Sequence, residues 1–275
     1  MSTVQWFFPD TLEEALAYLG REGVAPHGGG TNLVKSGISS LKGVVDLSRL
    51  ELDFMKIDKG VLEAGATLTF SGVADNLANL YPDCLLGKAL GTSASTPLRN
   101  RITLGGSAAL FPLWSDLIGP MSVLQGSVCV AGENEGKYAF DTWLANGALL
   151  QGSLITSLLF PDPVDWLSYF YREIRVGFDY PAFTVSILAR KNGDRVDEVR
   201  IAVSGGLDRV RRLSELEEKL SGADLSELDR LDVRRMATVE FGKKPSGSPQ
   251  YLSDMAALQV ERGLKRILAE EVKSR

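Results

Sequence analysis

HGGGTNL at His27–Leu33 and LRNRITLGGS at Leu98–Ser107 are the two stretches that decide how this chain is interpreted. Each places adjacent glycines next to a threonine, between apolar segments. Glycine has no side chain to hold a ligand away, so backbone N–H groups in such a loop can converge on a bulky anion. Two loops of this kind predict a ligand that carries a diphosphate and is held from both sides.

Alternatives remain for each loop. A glycine triplet also fits a plain surface turn, and neither stretch has the G-x-G-x-x-G spacing or the P-loop ending. Asp116 follows Ser107 by nine residues, so its carboxylate could accept hydrogen bonds from a ribose. The same residue could instead cap a helix predicted over Ser115–Leu124. Arg99 and Arg101 are interpreted as structural, because an arginine that ties a loop to nearby carbonyls is the commoner case.

The composition excludes several functions. A chain of 275 residues with 44% hydrophobic and 24% charged residues is typical of a globular protein of one or two domains. A formal net charge of −5 without a dense cluster of Lys and Arg argues against nucleic-acid binding. No apolar run approaches the roughly 20 residues of a membrane span. The N-terminus lacks the basic and apolar regions of a signal peptide. A cytoplasmic protein is predicted.

Histidine and cysteine are scarce. The only cysteines, Cys84 and Cys129, exclude an iron–sulfur cluster or zinc site held by this chain alone. The single histidine, His27, excludes H-E-x-x-H metalloenzymes, and no G-x-S-x-G motif accompanies it. His27 could attach a flavin covalently or could shape the glycine loop, and we favour the second interpretation. Chemistry in this chain therefore depends on a cofactor.

The order of predicted elements indicates an α+β fold. Thr11–Glu22 is predicted to be a helix with a capping box formed by Thr11 and Glu14. From about Leu154 the chain predicts strands and then helices, the order expected of an α+β unit. Ser214 and Glu217 suggest a second capping box, and the basic stretch Arg209–Arg212 is expected to be a solvated helix end. The strands predicted in this part are Leu154–Phe160, Ser168–Arg175, Ala182–Ala189 and Asp197–Ser204, and the helices lie near 213–220, 225–241 and 253–273.

Together with FFPDTLEEAL at Phe7–Leu16 and PLWSD at Pro112–Asp116, the two loops resemble the FAD-binding medium subunits of molybdenum hydroxylases. This is the family of xanthine dehydrogenase and carbon monoxide dehydrogenase. The resemblance covers nearly the whole chain. It implies a two-lobed FAD-binding domain of the PCMH, or vanillyl-alcohol-oxidase-like, type over residues 1–163, with lobes at about 1–55 and 56–163. A C-terminal α+β flavoprotein domain over residues 164–275 would follow.

The resemblance also implies a site for non-covalent FAD. Backbone groups of Gly28–Asn32 and Thr103–Ser107 would hold the diphosphate and Asp116 the ribose, and the isoalloxazine would lie near Leu154 and the Arg172–Tyr180 segment. Tyr180, extended before Pro181, could stack on a flat ligand or be a core aromatic residue. The cofactor-binding residues expected are Gly28, Gly29, Gly30, Thr31, Asn32, Leu33, Ile102, Thr103, Gly105, Gly106, Ser107, Asp116, Leu154, Arg172 and Tyr180.

The function implied by the resemblance is electron transfer in a heteromeric complex. A molybdopterin-binding large subunit would oxidise the substrate, and a 2Fe-2S small subunit would pass electrons to the FAD of this chain, which would deliver them to NAD or another acceptor. The molybdenum cofactor and the 2Fe-2S clusters are expected on partner chains only, and no catalytic residue is assigned here. Two alternatives are a self-contained flavin-dependent oxidase or reductase, and a scaffold that has lost FAD. Ser107, where the family usually has Asn, is the only hint of the scaffold.

Overall fold

The computed structural model describes residues 4–177, 179–228 and 230–269. Packing divides the chain into two compact units: unit 1 comprises residues 1–76, 95–110 and 125–162, and unit 2 comprises 77–94, 111–124 and 163–275. The two units therefore alternate along the chain. The predicted division into domains over residues 1–163 and 164–275 is a division along the sequence and not one by packing, and it stays a prediction.

The first sheet of unit 1 is small and parallel. Its strand order is β1-β3-β2, and β3 pairs in parallel with both neighbours. Helix α1 packs on it through the fully buried Ala15, which contacts the cluster that contains Val45. Thr11 caps this helix by accepting a hydrogen bond from the Glu14 N–H, which confirms half of the predicted capping box. The bounds are β1 (Gln5–Phe7), α1 (Leu12–Leu19), β2 (Val24–His27), α2 (Thr31–Ser36) and β3 (Gly43–Asp46).

The second sheet of unit 1 has five antiparallel strands in the order β4-β5-β8-β6-β7. One of its faces carries Leu62, Val128 and Leu158, all fully or almost fully buried. The strands are β4 (Met55–Asp58), β5 (Val61–Gly65), β6 (Ser127–Gly132), β7 (Gly136–Ala139) and β8 (Ser153–Pro161). Helix α3 (Phe70–Leu80) begins in this unit, and the other helices here are α5 (Thr96–Arg99), α6 (Leu104–Leu110) and α8 (Phe140–Ala145).

Unit 2 is built on a four-stranded antiparallel sheet in the order β12-β11-β10-β9. Side chains alternate between the two faces of a strand. Val185 and Ile187 of β10 therefore join the core with the long helix α12, while Ser186 points to the opposite face, beneath Gly119 of α7. The strands are β9 (Leu167–Glu173), β10 (Phe183–Asn192), β11 (Arg195–Ser204) and β12 (Val210–Arg212). The helices are α4 (Leu85–Gly91), α7 (Ile118–Val123), α9 (Ser214–Leu220), α10 (Leu225–Leu228), α11 (Val233–Met236) and α12 (Pro249–Ala269).

Three local predictions in unit 2 were wrong. Arg209–Arg212 is not a helix end, because Val210–Arg212 pairs with β11 as an edge strand. Glu217 does not complete a capping box. Its carboxylate instead accepts hydrogen bonds from the Ile201 N–H and from the Arg212 guanidinium. The helix predicted over residues 225–241 is two short helices, and residues 270–273 of the last predicted helix lie outside the described residues.

Two further differences bear on the candidate site. The helix predicted from Ser115 begins at Ile118 with Leu117 as its N-cap, so Asp116 is not a helix cap. The glycines of the second loop, Gly105 and Gly106, lie inside α6 and not in an open turn. Within the described ranges, no helix is long and apolar enough to cross a membrane.

Candidate functional site

The two glycine-rich stretches lie against each other in unit 1. The first, residues 27–33, connects β2 to α2, and the second, residues 98–107, runs from α5 into α6. The Arg101 Nε donates a hydrogen bond to the Gly29 carbonyl, with an N···O distance of 3.0 Å. A Cβ atom on Gly29 would lie 1.4 Å from the Arg101 carbonyl oxygen. Only glycine at position 29 therefore allows the two loops to approach this closely.

The first loop offers backbone donors. Among the described residues, the N–H groups of Gly28, Gly29 and Gly30 donate no hydrogen bond to any other part of the chain. Gly30 has a φ of 75° and precedes α2 without providing a side-chain cap. Buried or half-buried N–H groups in proteins are almost always paired with protein, water or ligand. These neighbouring donors therefore form a site that an anionic oxygen can satisfy.

The second loop is built differently, because the N–H groups of residues 104–107 are already bonded within the chain. The Gly105 N–H donates to the Ala66 carbonyl at 2.8 Å, and the Gly106 N–H donates to the Thr103 Oγ1 at 3.2 Å. The Leu104 and Ser107 N–H groups are likewise bonded within the chain. The Leu104 and Gly105 N–H groups therefore hold α6 against the segment that follows β5, while those of Gly106 and Ser107 donate to Thr103 in the first turn of the helix. What it presents outward is the exposed Gly106 and the partly exposed Ser107.

The side chains of Thr103, His27 and Asp46 lie close to the two loops. A Cβ on Gly28 would lie 3.0 Å from the Thr103 Oγ1, so the buried Thr103 supports both loops. A Cβ on Gly30 would lie 2.6 Å from the His27 Nε2. The His27 Nδ1 lies 3.3 Å from the Asp46 Oδ2, without the geometry of a hydrogen bond. His27 is therefore packed under the loop, as a residue that shapes it would be.

Asp46 is itself held in place. Partial burial raises the pKa of this carboxyl, but hydrogen bonding by Ser48 and the proximity of the His27 ring outweigh the burial, so its pKa is below the ordinary value. The carboxylate thus stays ionised beside His27 near neutral pH.

The other predicted residues of unit 1 differ in exposure. Thr31, Asn32 and Leu33 form the first turn of α2 and remain at least partly exposed. The Ile102 carbonyl accepts a hydrogen bond from the Phe70 N–H. Leu154 is only 5% exposed, and its side chain joins the hydrophobic cluster of the parallel sheet. A ligand at Leu154 would therefore meet its backbone and not its side chain.

Asp116 and Arg172 lie in unit 2, where they form a buried ion pair. The Arg172 Nε lies 2.8 Å from the Asp116 Oδ1, and their side chains are 7% and 3% exposed. The Ser93 hydroxyl donates to the other carboxylate oxygen at 2.6 Å, and the Arg172 guanidinium also donates to the Thr92 carbonyl. Burial raises the pKa of the Asp116 carboxyl above its ordinary value, although Arg172 and Ser93 act in the opposite direction. No local pattern in the sequence indicates that these two residues pair.

Tyr180, also in unit 2, is not a core aromatic residue. Its side chain is 58% exposed and contacts Trp114, with 4.8 Å between the ring centroids and a tilt of 45°. Trp114 was missed as a candidate, although it lies within the PLWSD stretch. An exposed pair of large aromatic rings is a surface on which a flat ring can pack.

The chemistry of unit 1 fits FAD, because the neighbouring free N–H groups of the first loop match the anionic oxygens of a diphosphate. The comparisons with known proteins agree. Residues 2–163 match the family described as the FAD binding domain in molybdopterin dehydrogenase. The chain belongs to this family. Its cofactor is FAD, and the recognition made from the sequence is confirmed.

Two known proteins are similar to this chain in sequence. The glyceraldehyde dehydrogenase medium chain of Sulfolobus acidocaldarius is 22% identical over 227 residues, which are 79% of this chain and 81% of that protein. The nicotine 6-hydroxylase medium subunit of Paenarthrobacter nicotinovorans is 29% identical over 166 residues, which are 59% of this chain and 56% of that protein.

A solved structure confirms the predicted α+β fold class. A chain of carbon monoxide dehydrogenase from Hydrogenophaga pseudoflava superimposes with a TM-score of 0.86, with 97% of each chain covered and 21% identity. At this level of identity, the match concerns the fold alone.

Proposed function

We propose that this flavoprotein transfers electrons within a heteromeric molybdenum hydroxylase, receiving them from a 2Fe-2S small subunit and delivering them to NAD or another acceptor. The observation that carries the proposal is the row of backbone donors in the first loop, which has no acceptor within the described chain. The descriptions of the two relatives as a medium chain and a medium subunit support a place beside larger and smaller partners. A likeness to xanthine dehydrogenase and a cytoplasmic location are parts of this proposal.

The roles of individual residues follow from their chemistry. The N–H groups of Gly28, Gly29 and Gly30 bind the diphosphate, with Thr31 adding a hydroxyl donor. In the second loop, Thr103 packs against Gly28 of the first loop, and Ser107 offers a hydroxyl to the cofactor. Bound FAD supplies the redox chemistry, because its ring can accept electrons singly and release them in pairs. The protein binds and orients the cofactor, and no residue of this chain acts as an acid or base.

Three roles in unit 2 remain proposals drawn from the family resemblance. Asp116 is proposed to accept hydrogen bonds from the ribose, and Arg172 and Tyr180 to lie near the isoalloxazine. Each carboxylate oxygen of Asp116 has a second lone pair, so its bonds to Ser93 and Arg172 leave acceptor capacity. The molybdopterin-binding large subunit is proposed as the partner that meets the substrate. No observation in the structure favours a self-contained oxidase or a scaffold without FAD.

The first test is spectroscopic. We expect the purified full-length chain, incubated with FAD and desalted, to retain a flavin spectrum. Gly29→Val should abolish retention, because its side chain would overlap the Arg101 carbonyl. Gly147→Val is the matched control, because nothing lies within 4 Å of a Cβ there. Retention by Gly29→Val would show that the flavin binds elsewhere.

The second test addresses electron transfer. In the complex purified with its partners, substrate should bleach the flavin absorbance, and addition of NAD should restore it with formation of NADH. The chain alone should not be bleached by the same substrate. A complex that contains no flavin, or whose flavin is never reduced, would overturn the proposal. Bleaching of the isolated chain would support a self-contained enzyme instead.

A further inference from the structure

Arg101 contacts the first glycine loop in two ways, although it was interpreted from the sequence as a structural residue only. Its side-chain Nε donates to the Gly29 carbonyl at 3.0 Å. Its own backbone carbonyl occupies the space that a Cβ of Gly29 would need. A Cβ on Gly30 would lie 3.6 Å from the Arg101 Nη2. One residue of the second loop therefore holds Gly29 and lies close to Gly30.

The hydrogen bond to Gly29 determines the direction of a neighbouring donor. In a planar trans peptide, the C=O of one residue and the N–H of the next point in opposite directions. Because Arg101 holds the Gly29 carbonyl on its own side, the Gly30 N–H must point away from Arg101. Within the described residues this N–H has no acceptor. Glycine peptides rotate easily, so without Arg101 this peptide would be free to turn over.

We propose that Arg101 is a positioning residue of the FAD site: it fixes the Gly29–Gly30 peptide so that the Gly30 N–H faces the diphosphate. The inference rests on the proposed diphosphate site and adds a residue that was not among the predicted ligands. Arg101 is exposed, and its guanidinium also places a cation beside the loop. Fixing the peptide before binding removes an entropic penalty that FAD binding would otherwise carry.

The test compares Arg101→Ala with Arg99→Ala in the full-length chain. Arg99 lies two residues away and donates to the Thr96 Oγ1, so its removal deletes the same charge without releasing Gly29. We expect Arg101→Ala to weaken FAD binding by about tenfold, the contribution of one hydrogen bond from a charged donor, and Arg99→Ala to weaken it much less. Equal losses in the two variants would show that only net charge matters and would overturn the inference.

Chemical rescue separates positioning from a loss of folding. Methylguanidinium at millimolar concentration should restore FAD binding to Arg101→Ala and should leave the wild type and Arg99→Ala unchanged. Arg101→Lys, which keeps a donor and the charge, should bind FAD with intermediate affinity, and its melting temperature reports on folding. Absence of rescue, together with a lowered melting temperature in both Arg101 variants, would mean that the residue is only structural and would overturn the inference.

Titration with inorganic pyrophosphate separates this inference from the proposed function. A wild type that binds FAD, with an Arg101→Ala variant that binds it equally well, would overturn the inference alone. A wild type that binds pyrophosphate but not FAD would overturn the proposed function, and weaker pyrophosphate binding by Arg101→Ala would still support the inference. A wild type that binds neither would overturn both.

Discussion

The two glycine-rich loops share a composition but use their backbone donors in opposite ways. In the first loop, the N–H groups of Gly28, Gly29 and Gly30 have no acceptor among the described residues. In the second, the N–H groups from Leu104 to Ser107 are all bonded within the chain. A glycine motif alone therefore does not distinguish a binding loop from a packing loop. The two kinds of loop are distinguished by whether their backbone N–H groups have acceptors within the chain.

In the cluster of Ser93, Asp116 and Arg172 in unit 2, as in the second loop, polar groups are bonded within the chain. Both carboxylate oxygens are bonded to side chains of the same unit, and both partners of the ion pair are nearly inaccessible to solvent. These internal bonds are expected to contribute to stability whether or not the cluster also meets a ligand, whereas the N–H groups of the first loop are expected to contribute mainly to binding.

The largest effect is expected from Arg172→Met, which leaves the buried Asp116 carboxylate without its cation. Removing one partner of a buried ion pair destabilises a fold by about 3 kcal/mol or more. Urea denaturation should show this loss at neutral pH. Arg211→Met is the control, because Arg211 forms an exposed pair with Asp208 at 3.4 Å and should contribute almost nothing. Equal losses in the two variants would contradict the importance of the buried pair.

Gly29→Ala should act on binding more than on stability. Its Cβ would overlap the Arg101 carbonyl, so the exposed loop must move away and its donors lose their common direction. We expect FAD affinity to fall by about a hundredfold, the effect of a clash of roughly 2.7 kcal/mol. Flavin fluorescence titration measures this, with Gly147→Ala as the control. A large fall in melting temperature without FAD would mean that the first loop, too, is a packing loop.

Gly105→Ala should act on stability more than on FAD binding. A Cβ there would lie 2.7 Å from the Ala66 Cβ and 2.9 Å from its carbonyl oxygen, in a buried part of unit 1. Such overpacking should lower the free energy of unfolding by about 2 kcal/mol. Thermal unfolding without FAD is the measurement, again against Gly147→Ala. An unchanged melting temperature with lost FAD binding would assign Gly105 to the ligand and not to packing.

The smallest effect is a pH dependence caused by Ser93→Ala. The Ser93 hydroxyl favours the ionised carboxylate, so its removal should raise the pKa of Asp116 further above the ordinary value of 3.8. A carboxyl whose pKa is raised on folding reduces stability as pH rises above its unfolded value. The variant should therefore lose about 1.5 kcal/mol near neutral pH and less near pH 4.

Chemical denaturation across this pH range should show the gap between wild type and Ser93→Ala widening as pH increases. Ser95→Ala is the control, because Ser95 precedes α5 without capping it through its side chain. A gap that is constant with pH would mean that the hydroxyl does not interact with an ionised Asp116.

The family, the cofactor and the α+β class could be predicted from the sequence, because these depend on local patterns. Gly28–Gly30 and the capping Thr11 can be recognised from their neighbours along the chain. The edge strand Val210–Arg212 could not be recognised in this way, since an isolated basic run gives no sign of the strand it pairs with. The prediction of a capping box at Ser214 and Glu217 was wrong because the partners of Glu217 are not its neighbours in the predicted motif. Its carboxylate accepts hydrogen bonds from the Ile201 N–H and the Arg212 guanidinium.

Which backbone donors stay available for a ligand could not be predicted from the sequence. The N–H groups of Gly105 and Gly106 look the same in sequence as those of Gly29 and Gly30. The Gly105 N–H donates to the Ala66 carbonyl, from a segment 39 residues earlier, whereas the Gly106 N–H donates to the hydroxyl of Thr103 in the same loop. The partners of Asp116 and Arg101 are likewise distant along the chain. Hydrogen bonds between distant segments depend on three-dimensional packing, so local sequence can propose the ligands of a site but cannot show which of them are already engaged.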